Sequence, residues 1–501
     1  MFLVSDGNEY KALQLLKGWP YCFCVSVIDE GFSITKMAYE KKPVSSFTVK
    51  FGLVLLAGCI LVPISLATMF RHCSVPLQTL SLLFSVGPAS SVKWGEERLG
   101  SHRYGRNKGP VLCDFSSSRS DMCELKGDVR VLPNATIVLR HPWARRQSWR
   151  MKPHGRKNDR HALARVTEVT VASSHSHHTA GAAPRCTASH TAPAVVFSVG
   201  GYAGNMFHDL TDVLVPLFIT TRRFGGDVHL LVSDAQPWWL DKFRPLLGAL
   251  SRHAVVDMNR GGSRGVLCYP HVILGLKFHK EMSVDAARTA GEYSMADFTL
   301  LARRSYGLTR DTAIRLGDGN RSSSAAVRPR LLLISRKSTR AFTNAGAVAR
   351  AAAALGFEVV VGEPARHADL PSFARVVNSC DVLVGVHGAG LANLVFLPAG
   401  AVVVQVVPLG GLDAMAAEDF GAPATDAGLR YVHYGIAVEE SSLARRYPRD
   451  HRVLRDPAAV RREGWMALRA AYLVGQNVTI DVRRFGGALR RAMELLRQTE
   501  E

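Results

Sequence analysis

The feature that most limits what this chain can fold into is a regular alternation between residues 330 and 407. Four short apolar runs, at 330–335 (RLLLIS), 357–361 (FEVVV), 381–386 (DVLVGV) and 401–407 (AVVVQVV), are separated by stretches with helical character. Val- and Leu-rich runs without polar alternation read as strands buried on both faces, the condition of a parallel sheet covered by helices. Thr343 or Asn344 caps a helix that runs to Leu355, and Gly356 stops it. A second short helix is expected over 370–379, and another after the glycine turn at His387-Gly388-Ala389-Gly390. The pattern predicts an α/β fold with a doubly wound sheet over 330–444. The chain after 445 reads as a helical segment to residue 501.

A weaker version of the same pattern occupies 113–306. The run 194–199 (AVVFSV) ends in Gly200-Gly201, a helix follows over 206–221, and 227–232 (DVHLLV) is the next strand. Strand, glycine turn, helix and strand make a βαβ unit. Before it, 129–132 and 136–139 are strands flanking a Pro133-Asn134 turn. A Ser-, His- and Ala-rich stretch at 173–193 reads as a low-complexity insertion. Its His175, His177 and His178 have no partner ligands at metal spacing, so a solvated insertion is the expectation.

The N-terminal quarter carries a different signal. Residues 51–70 (FGLVLLAGCILVPISLATMF) hold no charge, about the length that crosses a hydrocarbon core of ~30 Å. Lys36, Lys41, Lys42 and Lys50 precede it, whereas Arg71 is the only Lys or Arg in the next twenty residues. The charge bias places 1–50 in the cytosol, 51–70 in the membrane and the rest in a lumen, behind a stem over 71–112. Asn134, Asn320 and Asn477 each begin a glycosylation tripeptide, in keeping with a lumenal body. Nine cysteines are too few for a disulfide scaffold. Cys113 and Cys123, ten apart in a Ser- and Asp-rich stretch, are placed to close a small disulfide loop. The formal net charge of +20 is scattered and comes with no zinc-finger, bZIP or RNP-like pattern. It argues against nucleic acid and is compatible with an anionic substrate.

Three constellations carry chemistry. At the end of the third strand, His387-Gly388-Ala389-Gly390, followed by Asn393, offers free backbone N–H groups to an anion, with glycines that let a phosphate come close. At the end of the first strand, Arg336, Lys337 and Arg340 suit a diphosphate by charge and fork geometry. In the N-terminal domain, His208 and Asp212 stand four apart on one helix face with Asp209 beside them. His or Asp there can take the proton of an attacking sugar hydroxyl. No DxD-like pair follows a strand, so Arg, Lys and a helix N-terminus are expected to neutralise a diphosphate with no metal and no other cofactor.

These residues resemble plant glycosyltransferase family 61, and more narrowly the grass xylan arabinosyl- and xylosyltransferases. The matching pieces are 113–116 (CDFS), 123–131 (CELKGDVRV), 197–220 (FSVGGYAGNMFHDLTDVLVPLFIT), 230–240 (LLVSDAQPWWL), 384–398 (VGVHGAGLANLVFLP) and 475–485 (GQNVTIDVRRF). The resemblance implies a GT-B-like fold, in which two Rossmann-type domains face a cleft, on a single-pass type II Golgi membrane protein. It also implies inverting transfer of a pentose, arabinofuranose or xylose, from a UDP-sugar to xylan. By the same resemblance Arg336, Arg340 and 387–390 hold UDP, while His208, Asp209 and Asp212 remain three candidates for the base. Ala392 stands where the family often has Thr, and Ala414 about where many members carry Trp. The alternative is an idle polysaccharide-binding or scaffold subunit of a xylan synthase complex. Work as a homo- or hetero-oligomer is compatible with either reading.

Overall fold

The structure, a computed structural model, describes residues 3–6, 9–12, 21–28, 31–38, 110–141, 147–174, 184–258, 265–289, 291–317, 328–363 and 369–498. The 51–70 span, the stem up to 109, Asn320 and the three insertion histidines lie outside them. Among the described residues no helix is long and apolar enough to cross a membrane. The chain divides into two compact units, 1–96 and 97–501. In the first, β1 (Leu3–Asp6) pairs antiparallel with β2 (Glu9–Ala12), and β3 (Tyr21–Ile28) pairs antiparallel with β4 (Gly31–Ala38).

Among the described residues the second unit holds two sheets. The larger is built on β11 (Ala194–Ser198), whose five residues are all buried, and β12 (His229–Ser233), equally buried. Parallel to them lie β13 (Val256–Asp257) beside β12 and β14 (Leu267–Leu274) beside β11. The spatial order of these four is third, second, first, fourth, the order of half a Rossmann sheet. The sheet then continues, contrary to a purely doubly wound domain. β6 (Met122–Leu132) joins β14 antiparallel, followed by β7 (Thr136–Arg140), β9 (Val169–Ser174) and β8 (Gln147–Met151), with β5 (Val111–Asp114) also on β6. These outer strands alternate buried and accessible residues because one face packs and the other meets water. The first described strand of this domain, β5, starts two residues before Cys113. The 173–193 stretch is not one insertion either: Ser173 and Ser174 end β9, while β10 (Ala188–Ser189) pairs with β14.

The smaller sheet is all parallel: β15 (Arg330–Ile334), β16 (Glu358–Gly362), β17 (Val382–Val386), β18 (Val402–Val407) and β19 (Arg430–Gly435), in the order β16-β15-β17-β18-β19. The four expected strands are present, and β19 adds a fifth. This is the 2-1-3-4-5 doubly wound order, so the strand order reverses between β15 and β17 and opens a crevice at their carboxyl ends. The C-terminal segment is not separate: the helix Val482–Leu495 lays Phe485, Leu489 and Ala492 against this sheet, in one core with Val382, Val402 and Val432.

Beneath the cleft the two lobes share a core. A single buried cluster contains Val195, Phe218 and Phe298 of the first lobe with Ile334, Leu383, Leu391 and Leu394 of the second. The buried Arg303 guanidinium donates to Leu397 O across the seam, at 3.1 Å. Two cystines fasten the first lobe. Cys113–Cys123 forms as expected, and Cys186–Cys268, a pair 82 residues apart, is an addition that no local pattern announces.

Candidate active site

The site begins with the helix over 206–221. Asn205 caps it by accepting from Phe207 N. The first turn and the last part are α, but Asp209–Leu214 is π-helical. A π segment widens the turn and redirects side chains, a common device at functional sites. Here it sends the three candidate residues to different partners. Asp209 is 1% exposed and turns back on its own lobe: it accepts from Gly204 N (2.9 Å), Trp239 Nε1 (2.8 Å) and Lys242 Nζ (3.1 Å). Burial pushes its carboxyl up, against the pull of Lys242. Both of its oxygens are thus engaged by structural partners.

Asp212 is as deeply buried but links outward. Its Oδ2 meets His208 Nδ1 at 2.9 Å and its Oδ1 accepts from Arg156 Nε at 2.8 Å. Arg156 and Arg119 also hold Glu281, which accepts from Thr211 Oγ1 at 2.8 Å. With Nδ1 committed to a carboxylate, the His208 ring is fixed in orientation and keeps Nε2 for another partner, one-fifth of its side chain remaining accessible. A histidine oriented by a buried aspartate in this way can receive a proton at Nε2.

The opposing groups come from the C-lobe crevice. β15 ends at Ile334, and Arg336 follows; β17 ends at Val386, and His387-Gly388 follow. Because these are the two strands flanking the reversal point, residues far apart in the chain meet. Gly388 has φ +138°, and a Cβ there would come within 2.6 Å of Arg336 Nη1 and 2.7 Å of Arg340 Nη1. Only glycine lets both guanidinium groups lie against this turn. Arg340 Nη1 donates to His387 O at 2.8 Å, its Nε has no partner among the described residues, and its own φ is +54°, a strained value for a side-chain-bearing residue. Burial, with Arg336 and Arg469 close by, lowers its pKa to about 9. Arg336 is lowered by burial too. Neither arginine has a carboxylate within ion-pair distance among the described residues. Two half-buried cations with no ion pair of their own, Arg336 feeling only the more distant Glu363, make a ready anion site.

His387 is 4% exposed and burial lowers its pKa to about 3, helped by the two arginines. Gln405 accepts from Tyr431 Oη through Oε1 (2.7 Å), so its Nε2 donates to His387 Nδ1 (2.8 Å). The imidazole proton therefore sits on Nε2, which faces Asp419 Oδ2 at 3.8 Å. Asp419 is raised to about 7 by burial and by Glu281, with Arg156 and Arg119 opposing. It joins the C-lobe turn to the charged cluster beneath His208.

Between the lobes lies a cleft of about 580 Å³. Ala389, Gly390, Asn393 and Arg336 line it from the C-lobe, and Tyr202, Trp238 and Lys242 from the other. His208 borders it through Tyr202, whose ring centre lies 4.5 Å from that of the imidazole. Gly390 and Asn393 belong to the helix Ala389–Phe396, which is 3₁₀ rather than α. Not every expected residue takes part. Lys337 is 79% exposed and its ammonium stands by Glu363 at the cleft, not against the glycine turn with Arg336 and Arg340. Ala392 is fully buried in the core, so a hydroxyl there would not face a ligand. Ala414 is exposed. Asn134 is exposed at its turn, whereas Asn477 is half-buried and accepts from Ala341 N through Oδ1. Glu363, Asp419, Arg119, Arg156 and Glu281 are additions to the site: they lie in no motif and meet only in the fold.

The arrangement has relatives. The sequence profile of the Glycosyltransferase 61 family matches residues 206–404, from the dyad helix through the glycine turn. An alpha-1,3-arabinosyltransferase of Oryza sativa subsp. japonica is 45% identical over 77% of this chain and 65% of its own length. A beta-1,2-xylosyltransferase of the same plant is 40% identical over 77% of this chain and 84% of its own. A xylan glycosyltransferase of Arabidopsis thaliana is 32% identical over 78% and 80%. The chain thus spans slightly less than two thirds of the arabinosyltransferase it matches.

Proposed function

The chain belongs to the glycosyltransferase 61 family, and from that premise we propose that it is an inverting transferase moving a pentose from a UDP-sugar to the xylan backbone. The observation that carries this reading is the pair of half-buried arginines, neither in an ion pair among the described residues, packed on Gly388, at a cleft whose other wall holds Tyr202 against His208 of the His208–Asp212 dyad. The two-lobed sheet arrangement is read as GT-B-like. The relatives supply the sugars: arabinosyl and xylosyl transfer and a xylan acceptor are what their names state.

The acceptor hydroxyl gives its proton to His208 Nε2 as its oxygen bonds to the anomeric carbon, while Asp212 stabilises the imidazolium that forms. The bond from that carbon to the β-phosphate oxygen breaks with inversion, and UDP leaves with the electron pair. Arg336, Arg340 and the backbone N–H groups at 389–390 take up the charge on the leaving diphosphate. Fixed donors of this kind act without reorganising, so transfer is expected to need no metal ion. Holding both substrates in line supplies the remaining advantage. Asp209 is assigned to holding the helix rather than to proton transfer. The uncharged 51–70 run and its flanking lysines support placement as a single-pass type II protein of the Golgi membrane.

The test is UDP release by the purified chain with xylo-oligosaccharide and either UDP-arabinofuranose or UDP-xylose, with and without EDTA. Acceptor-dependent release that survives EDTA and is lost in Arg336→Ala and His208→Ala is the expected result. No release with either donor, despite bound UDP, would overturn the pentosyl assignment. Release abolished by EDTA would overturn the metal-free mechanism.

A further inference from the structure

Glu363 is an anomaly in an anion site. It follows β16 directly and lines the same cleft as Arg336, Ala389 and Gly390; its ion pair is with Lys337, and it acts on Arg336 only from beyond pairing distance. Its Oε1 accepts from Lys337 N at 3.0 Å, and Lys337 Nζ stands 3.7 Å from Oε2. A carboxylate held by a backbone N–H beside a diphosphate site opposes the phosphates electrostatically. Its presence there calls for a ligand that brings hydroxyl donors.

The strand order says which part of a ligand reaches it. The anion site lies between β15 and β17, so an elongated ligand lying over the strand ends extends one way toward β16 and the other way toward β18. On the β18 side stand His387 and Asp419, with Phe207, the neighbour of His208, in ring contact with Phe420 at 5.4 Å. The groups able to move a proton are therefore on that side, and the transferred sugar belongs with them. On the β16 side the lining is Glu363 with Leu370 and Phe373, one carboxylate beside an aliphatic and an aromatic wall. That combination matches a nucleoside: a cis-diol that donates two O–H groups, attached to a flat apolar base. An acidic residue at the end of the second strand is also where doubly wound sheets bind a ribose.

We infer that Glu363 accepts hydrogen bonds from the ribose hydroxyls of the nucleotide donor, with the base against Phe373, and makes the site selective for ribonucleotides. The inference rests on the donor reading above and adds the donor's direction across the sheet, nucleoside over β16 and sugar toward β18.

Calorimetry on the purified chain tests it with three probes: UDP, 2′-deoxy-UDP and inorganic pyrophosphate. The wild type should bind UDP about tenfold more tightly than 2′-deoxy-UDP, the scale expected for a hydrogen bond to a charged acceptor. Glu363→Gln should bind UDP about tenfold more weakly than the wild type and no longer distinguish it from 2′-deoxy-UDP. Its affinity for pyrophosphate should be unchanged or slightly higher, whereas Arg336→Ala should lose pyrophosphate. Equal wild-type affinity for UDP and 2′-deoxy-UDP would overturn the role of Glu363 while leaving the diphosphate site standing, and so would wild-type UDP affinity in Glu363→Gln. Failure of the wild type to bind either UDP or pyrophosphate would overturn the donor reading and this inference with it.

Discussion

Asp419→Asn should change how the protein's stability depends on pH, and the size of the change follows from where the carboxyl sits. Its pKa is raised from an ordinary 3.8 to about 7, chiefly by burial and next by Glu281. The folded state therefore binds this proton more tightly than the unfolded chain does. The stabilisation is fully present below pH ~4 and is lost as pH rises through ~7, because above that the folded state must hold a buried, ionised carboxylate. A difference of about three pH units corresponds to about 4 kcal/mol, and a fifth of the side chain still reaches water, so ~2–4 kcal/mol is the expected range. Asparagine has nearly the same shape and does not titrate. Urea unfolding followed by tryptophan fluorescence at about pH 4.5 and about pH 8, either side of that titration, measures both proteins. The stability of Asp419→Asn relative to wild type should rise by that amount between the two pH values. Parallel pH dependence in the two proteins would refute the argument, since it would mean that this carboxyl ionises in the fold as easily as in water.

Five further substitutions separate the roles of the site's members and of its frame. Gly388→Ala puts a methyl where two guanidinium groups lie and should weaken UDP binding at least about tenfold by calorimetry, with far-UV circular dichroism unchanged. His208→Ala should lower kcat by ~10²–10⁴ without altering UDP affinity, the usual size of a lost general base. Asp209→Asn, by contrast, leaves the half-buried Lys242 without its anion and should appear as a loss of ~1–3 kcal/mol in unfolding free energy. Cys186→Ser opens a loop of 82 residues and should cost ~4.5 kcal/mol by chain entropy, against ~3 kcal/mol for Cys113→Ser, whose loop is ten.

How much of this is legible in the sequence depends on which physical constraint each residue obeys. The central strands of the C-lobe are readable because parallel strands covered on both faces must be apolar throughout. β19 escapes that reading because RYVHYG, at the sheet edge, mixes charged and aromatic residues. β8 escapes in the same way: QSWRM has one buried residue. The anion turn is readable because glycine at a strand end, next to a histidine, permits a close approach to the backbone that a Cβ would block. The division of labour between Asp209 and Asp212 is not, because a three-residue spacing on a π turn sends the two carboxylates to opposite sides. Only the fold supplies Lys242 to one and Arg156 to the other. Cys186 and Cys268 sit in separate strand regions, and nothing local pairs them.

The apolar cluster shared by the lobes bears on how the molecule can be cut and recombined. Phe298, Leu391 and Leu394 are sealed only while both lobes are present. Expressed alone, either half would display a broad greasy face and clump rather than behave as an autonomous module. Chimaeras that exchange the nucleotide-holding half between relatives will therefore succeed only if both sides of that cluster travel together. Donor preference is better transplanted as single side chains at the rim of the cleft than as a whole lobe.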